Sequence, residues 1–193
     1  GYNIHDLAEH STFEETVFLL LEGSLPTQVE LDKIDAELRA AREVPDMILQ
    51  LISIIKSSHP MDVLRTTISA MSSLDEDVEN NSEDSVKQKG IRMTAVVPTV
   101  IAAHHRIRQD EKPILPRKDL GHAANFLYML FDNEPDPLDA KLIDKDLILH
   151  AEHGVNASTF AARVASATKV DFYAAMTAAV ATLKGPLHGG AAE

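Results

Sequence analysis

No stretch of useful length in this chain alternates apolar and polar residues, whereas apolar residues recur every three or four positions in segment after segment. Alternation would build half-buried strands; the observed spacing builds amphipathic helices, so the sequence predicts an all-α fold. Start and stop signals fence the segments. Ser11 stands three residues before Glu14, and Thr27 three before Glu30, each pair reading as a capping box. Phe13, Val17, Leu20 and Leu21 follow the first box; Leu31, Ile34 and Leu38 follow the second. Gly23 suits a left-handed helix stop. Pro45, Pro60 and Pro137 each sit at a further start, the last with Asp136 as its cap.

Between these segments, residues 1–10 read as a polar lead-in. Residues 74–89 read as an acidic loop whose second half can be helical. A strong helix is expected over 91–108, kinked at Pro98, with Ala95, Ala102 and Ala103 small enough to let another helix approach. His104 and His105 near its end read as helix termination, with a subunit contact as the other option. His59 before Pro60 reads as structural, and Asp119–Phe131 as a short helix. Together the pattern gives about ten helices of roughly 10 to 18 residues.

With 193 residues, 45% of them apolar, the chain can bury the core of one domain or a large piece of one. A net charge of −12 argues against nonspecific nucleic-acid binding, which needs a basic face. No apolar run approaches the roughly 20 residues that span a bilayer, and no signal-peptide pattern opens the chain. Neither nucleic acid nor membrane is therefore an expected partner. Cysteine is absent, which excludes disulfides and thiolate metal sites and fits a reducing cytoplasm. Both ends read as cuts from something longer, because the chain opens within a motif-like stretch and stops three residues after Gly190.

The chemistry-bearing residues gather between Leu147 and Glu193. Two helices are expected there, parted at Lys169–Asp171, followed by the loop Gly-Pro-Leu-His-Gly-Gly. His150 and His153 are three apart and would share one face of a continuous helix ended by Gly154. A cationic imidazole is stabilised at such a C-terminus. Asn156 and Ser158 are capping candidates for the next helix. This cluster can bind a small polyanion; equally, the histidines can cap carbonyls or fill a core edge. A zinc site needs a third ligand and supporting partners, and Glu152 points away, so no metal is expected.

His188 stands among glycines that let backbone approach a ligand closely. A histidine at a helix N-terminus feels the positive end of the macrodipole, which favours neutral imidazole. Such a ring can donate a hydrogen bond to a carbonyl becoming an enolate. The other reading is an ordinary turn histidine.

The segments ILHAEHGVNASTFAARV and LKGPLHGG resemble the citrate synthase family. So do GYNIHDLAEHSTFEETVFLLLEGSLPT and SHPMDVLRTTIS, in the family's order. The resemblance covers the whole chain and implies a multi-helical citrate synthase-like fold. It places residues 1–193 in the opening part of the large helical domain, with the rest of that domain and the small domain absent. It implies condensation of acetyl-CoA with oxaloacetate and water to give citrate and CoA, with no cofactor. His188 matches the histidine that stabilises the acetyl-CoA enol, and His153 one that binds oxaloacetate. His150 and Asn156 fall in the same motif as supporting or secondary contacts. A cytoplasmic homodimer is implied, and helix 91–108 is the candidate seam.

The family's catalytic aspartate, its second catalytic histidine and its oxaloacetate-binding arginines are not found in 1–193, so this stretch alone is expected to be inactive. Ala192 stands where the family usually has asparagine. The 2-methylcitrate synthases, which take propionyl-CoA, carry tyrosine in the place of His150 and a GPKHGG motif; His150 and Leu187 point instead to acetyl-CoA. A noncatalytic helical dimerisation module on the same scaffold is the reading from another class.

Overall fold

Residues 1–189 are described in the structure, a computed structural model of the chain. Among them lie ten α-helices and no strand: α1 (Ile4–His10), α2 (Phe13–Glu22), α3 (Gln28–Ala40), α4 (Asp46–Ile54), α5 (Pro60–Met71), α6 (Glu83–Ile107), α7 (His122–Phe131), α8 (Pro137–His150), α9 (Ala157–Ala167) and α10 (Phe172–Leu183). A 3-10 turn, Ser72–Leu74, follows α5. The all-α expectation holds. Helix lengths run from 7 to 25 residues, a wider range than expected.

The caps explain most boundaries. Thr27 and Glu30 form the expected box on α3, and Gly23 ends α2 at φ 80°. Asp136 accepts from the Leu138 N–H at 2.7 Å. His59 is structural as expected: its Nδ1 accepts from the Met61 N–H at 3.2 Å and so caps α5. The first box is shifted by one residue. Thr12, not Ser11, caps α2, paired with Glu15 rather than Glu14. The polar lead-in is also corrected: residues 4–10 are helical, capped by Asn3, whose side chain accepts from the His5 N–H at 2.9 Å. Leu7 and Ala8 are its apolar contacts, too few to show as a stripe. α6 starts at Glu83 on a Ser82 cap and continues through Pro98.

The chain packs as two compact units. Unit 1 comprises residues 1–43, 91–102 and 113–153. Phe13, Val17, Ile34, Leu38, Ile91, Ala95 and Ile148 form its core. Arg42 is also buried there; it donates from Nη1 to the carbonyls of Arg117 and Leu120 at 2.7 and 2.8 Å. Unit 2 comprises residues 44–90, 103–112 and 154–193. Ile48 and Ile52 of α4, Val63 and Ile68 of α5, and Tyr173 and Ala175 of α10 are buried in it. Each such large aliphatic side chain contributes about 1.5–3 kcal/mol.

The acidic segment after the 3-10 turn is pinned rather than loose. Tyr173 donates its hydroxyl to Asp75 at 2.7 Å. The buried Lys89 donates from Nζ to the carbonyls of Asp77, Val78 and Asn80 at 2.5, 3.2 and 2.9 Å. α6 buries apolar residues on its packed side, including Ile91, Met93, Val96 and Val100. Of its large apolar residues from 91 to 107, only Ile101 is exposed, at 40%.

Candidate functional site

The site is built in unit 2 by α9, α10 and the turn that follows. Asn156 caps α9, its Oδ1 accepting from the Thr159 N–H at 3.0 Å. Ser158, two residues on, donates its hydroxyl to the same oxygen at 2.8 Å. α9 ends before Lys169, which adopts φ 64°, and Asp171 then caps α10 by accepting from the Ala174 N–H. The expected break at 169–171 is therefore present.

α10 stops at Leu183 because the chain reverses at Gly185. The Gly185 N–H donates to the Thr182 carbonyl at 3.0 Å, and the His188 N–H to the Gly185 carbonyl at 2.9 Å. A Cβ at Gly189 would lie 2.5 Å from the Leu183 carbonyl oxygen, so only glycine fits this fold-back. The reversal turns the half-buried His188 ring toward α9. Its Nε2 lies 2.9 Å from Ser158 Oγ. Leu187, next to it, is 99% exposed.

The ring's chemistry follows from counting protons. Ser158 carries one hydroxyl proton and faces two acceptors, Asn156 Oδ1 and, in one tautomer, His188 Nε2. With that proton on Asn156, the serine oxygen accepts from Nε2–H. With it turned to His188, Nε2 accepts and the neutral ring carries its proton on Nδ1, ready to donate to a substrate oxygen.

The structure thus brings Asn156 and His188 together through Ser158. The sequence had marked Ser158 only as a capping candidate; nothing local announced a partner 30 residues away. His150 and His153 belong to unit 1. α8 ends at His150, not at Gly154, so the two histidines do not share a helical face. His150 Nδ1–H donates back to the Asp146 carbonyl at 2.8 Å, and its ring is largely exposed. His153 lies in the following loop and is exposed. Ala192, and the helix expected to begin after Gly190, lie outside the described residues.

Unit 1 holds a second polar feature with no sequence signal. An open cleft of about 510 Å³ is lined by Glu14, Asp32, Asp35, Arg39, His122 and Asp144, among others. Burial first, and then the charge of Arg42, push His122 down to about 4. Burial raises the carboxyl of Asp144 above its ordinary range, against the opposing pull of the Phe13 N–H. Among the described residues, no group of three or more His, Asp or Glu could hold a metal ion. No helix there is long and apolar enough to cross a membrane.

A family model described as "Citrate synthase, C-terminal domain" matches residues 1–193. By that description the chain lies in the family's C-terminal domain, whereas its motifs are read above as the opening part of a large helical domain. The citrate synthase of Deinococcus radiodurans is 47% identical over 194 residues, covering 100% of this chain and 52% of that protein. The 2-methylcitrate synthase of Mycobacterium tuberculosis is 44% identical, covering 100% and 49%. Among solved structures, citrate synthase from Pyrobaculum aerophilum superposes with a TM-score of 0.94 at 42% identity, covering 99% of this chain and 50% of that one. A ternary complex of citrate synthase from Thermoplasma acidophilum with carboxymethyl coenzyme A and oxaloacetate gives 0.92 at 30% identity, covering 100% and 51%. The chain spans about half the length of the relatives it matches.

Proposed function

The chain belongs to the citrate synthase family, and on that premise we propose that the protein carrying it condenses acetyl-CoA with oxaloacetate and water to give citrate and CoA. The observation that carries this reading is the His188 ring, held at 2.9 Å from Ser158 in a glycine-bounded turn. With Nε2 engaged by the serine, Nδ1 is the nitrogen left to meet the thioester oxygen. Donation from Nδ1–H stabilises the enolate as the methyl proton leaves to a carboxylate that the resemblance places outside residues 1–193. The enol carbon then attacks the ketone of oxaloacetate, whose oxygen takes a proton from the second histidine that the resemblance places outside residues 1–193, and water hydrolyses the thioester bond to release CoA. Preorganised donors of this kind contribute about 10²–10³ in rate each.

His153 is assigned to oxaloacetate; being exposed in a loop, it is free to meet a ligand. His150 supports it from the last turn of α8. The Oδ1 of Asn156 is held by the Thr159 N–H, so this residue contacts substrate through its amide nitrogen. No resident cofactor takes part, and the protein works in the cytoplasm.

A homodimer is part of the reading, with helix 91–108 as its candidate seam. α9, which exposes Phe160 at 60% and Val164 at 52%, offers a second candidate face. Sedimentation of a Phe160→Glu variant at half the mass of the parent supports that second face.

A second reading, condensation of propionyl-CoA to 2-methylcitrate, is favoured by relatives carrying both names. One methylene is worth only ~1–3 kcal/mol of discrimination, so the two activities can overlap. The test is oxaloacetate-dependent release of CoA from acetyl-CoA and propionyl-CoA by the full protein. His188→Ala is expected to lower kcat by about 10²–10³ in either case. Undiminished turnover removes His188 from the mechanism.

A further inference from the structure

We propose that the ion pair between Lys184 and Asp62 is a clamp that positions the His188 ring. This rests on the reading of His188 as the enol-stabilising group. Lys184 is the C-cap of α10 and immediately precedes Gly185, where the turn begins. Its Nζ lies 2.6 Å from Oδ2 of Asp62, in the first turn of α5. The pair therefore ties the foot of the His188 turn to a second helix.

Among the described residues, the turn's other ties are few and local. Pro186 is exposed and Leu187 fully so, which leaves no apolar packing on its outer side. Two backbone hydrogen bonds and the contact with Ser158 fix its shape. By contrast, the far end of the clamp is rigid. Val63 and Thr67, beside Asp62 on α5, are fully buried, and Thr67 donates to the Val63 carbonyl at 2.7 Å. Arg65 Nη2 lies 3.0 Å from Asp62 Oδ1 and adds an ion pair, without a hydrogen bond, on the other side.

Both ends also sit where helix dipoles favour them. An acid in the first turn of α5 and a base at the C-terminus of α10 each meet a partial charge of opposite sign. At 37% and 28% side-chain exposure, the pair is only partly shielded from solvent. Its contribution to stability is then small, while its geometric effect on the turn remains. A shift of about 1 Å in a reacting group can cost up to ~10²-fold in rate.

The experiment uses the full protein with Lys184→Met, Lys184→Arg and Asp62→Asn. Lys184→Met and Asp62→Asn are expected to lower kcat about tenfold with the KM for oxaloacetate unchanged. Lys184→Arg restores most of the rate, and the double variant is no worse than either single one. Raising KCl should lower kcat of the parent toward that of Lys184→Met, because salt screens the pair. In parallel, nitrogen-15 shifts of the His188 ring should move in Lys184→Met and return in Lys184→Arg. Parental kcat and unmoved ring shifts in Lys184→Met overturn the clamp. So does a loss in Lys184→Met that Asp62→Asn does not share. If His188→Ala turns over normally, the catalytic reading fails instead; ring shifts that still respond to Lys184→Met keep the clamp as a positional device.

Discussion

The Glu14 carboxylate accepts the backbone N–H of His122 at 2.9 Å, capping α7 from 108 positions earlier in the chain. Gly121, the N-cap of α7, has no side chain for that task. Glu14 is only 8% exposed, so removing its acceptor leaves a buried donor unsatisfied. Glu14→Ala should cost about 2–3 kcal/mol, and Glu14→Gln, which keeps an oxygen in place, about 1 kcal/mol. Urea unfolding with an unchanged m-value would measure both. Equal losses in the two variants would show that the cap is not the cause.

His122 gives unit 1 a pH dependence of known sign. Its ring lies 4.9 Å from that of Phe13. Burial, aided by Arg42, lowers it from 6.5 to about 4. The unfolded chain therefore binds the proton first as pH falls. Stability from this group is complete above pH 6.5 and is lost progressively down to about pH 4. The loss amounts to about 3 kcal/mol. Thermal melts of the parent should fall steeply across this window, while His122→Phe should flatten the fall. Parallel pH profiles would place the titration elsewhere.

The helices were legible where cap and stripe occur together. Thr27 with Glu30, and Asp136 with Pro137, announce α3 and α8 because both signals are local. α1 was hidden because its apolar contact is limited to Leu7 and Ala8. The shift from Ser11 to Thr12 shows the same limit: two adjacent residues could cap, and in the structure Glu14 is engaged at α7 instead of in the box. In the site, the His188 motif was legible from its glycines, whereas its partner Ser158 was not, since the contact joins residues 30 apart. α8 ends at His150, short of Gly154, because Gly154, at φ 65°, serves the loop rather than the helix.

Lys89 tests how the acidic segment is held. The residue is 2% exposed, and its ammonium serves three carbonyls between Asp77 and Asn80. Lys89→Met strips all three of their donor and should cost about 2–4 kcal/mol. Arginine should not rescue, because a planar fork cannot replace a compact donor with three directions. Hydrogen exchange at residues 76–82 should accelerate in both variants. Unchanged exchange would mean the segment is held by its other bonds, among them Tyr173 to Asp75 and Ser85 to Asp77.

Ser158→Ala separates the catalytic from the structural use of one hydroxyl. The Asn156 cap survives, because Oδ1 still accepts from the Thr159 N–H. Stability should change by less than about 0.5 kcal/mol. The ring of His188 loses its only described side-chain partner, so kcat in the full protein should fall about ten- to a hundredfold. A large loss of stability, or no loss of kcat, would return Ser158 to a capping role.

Gly189→Ala challenges the turn itself. Its new methyl would sit 2.5 Å from the Leu183 carbonyl oxygen, with the Leu183 Cδ1 at 2.6 Å and Cγ at 2.9 Å. The side chain can rotate away, but the carbonyl belongs to the last turn of α10 and cannot. The strain therefore falls on the residues between them, and His188 is one of these. We expect a wild-type helical signal, a drop in kcat of about 10² or more, and loss of the single His188 ring state in nitrogen-15 spectra. A variant that keeps both rate and ring shifts would show that the turn can relax around Leu183 without moving the imidazole.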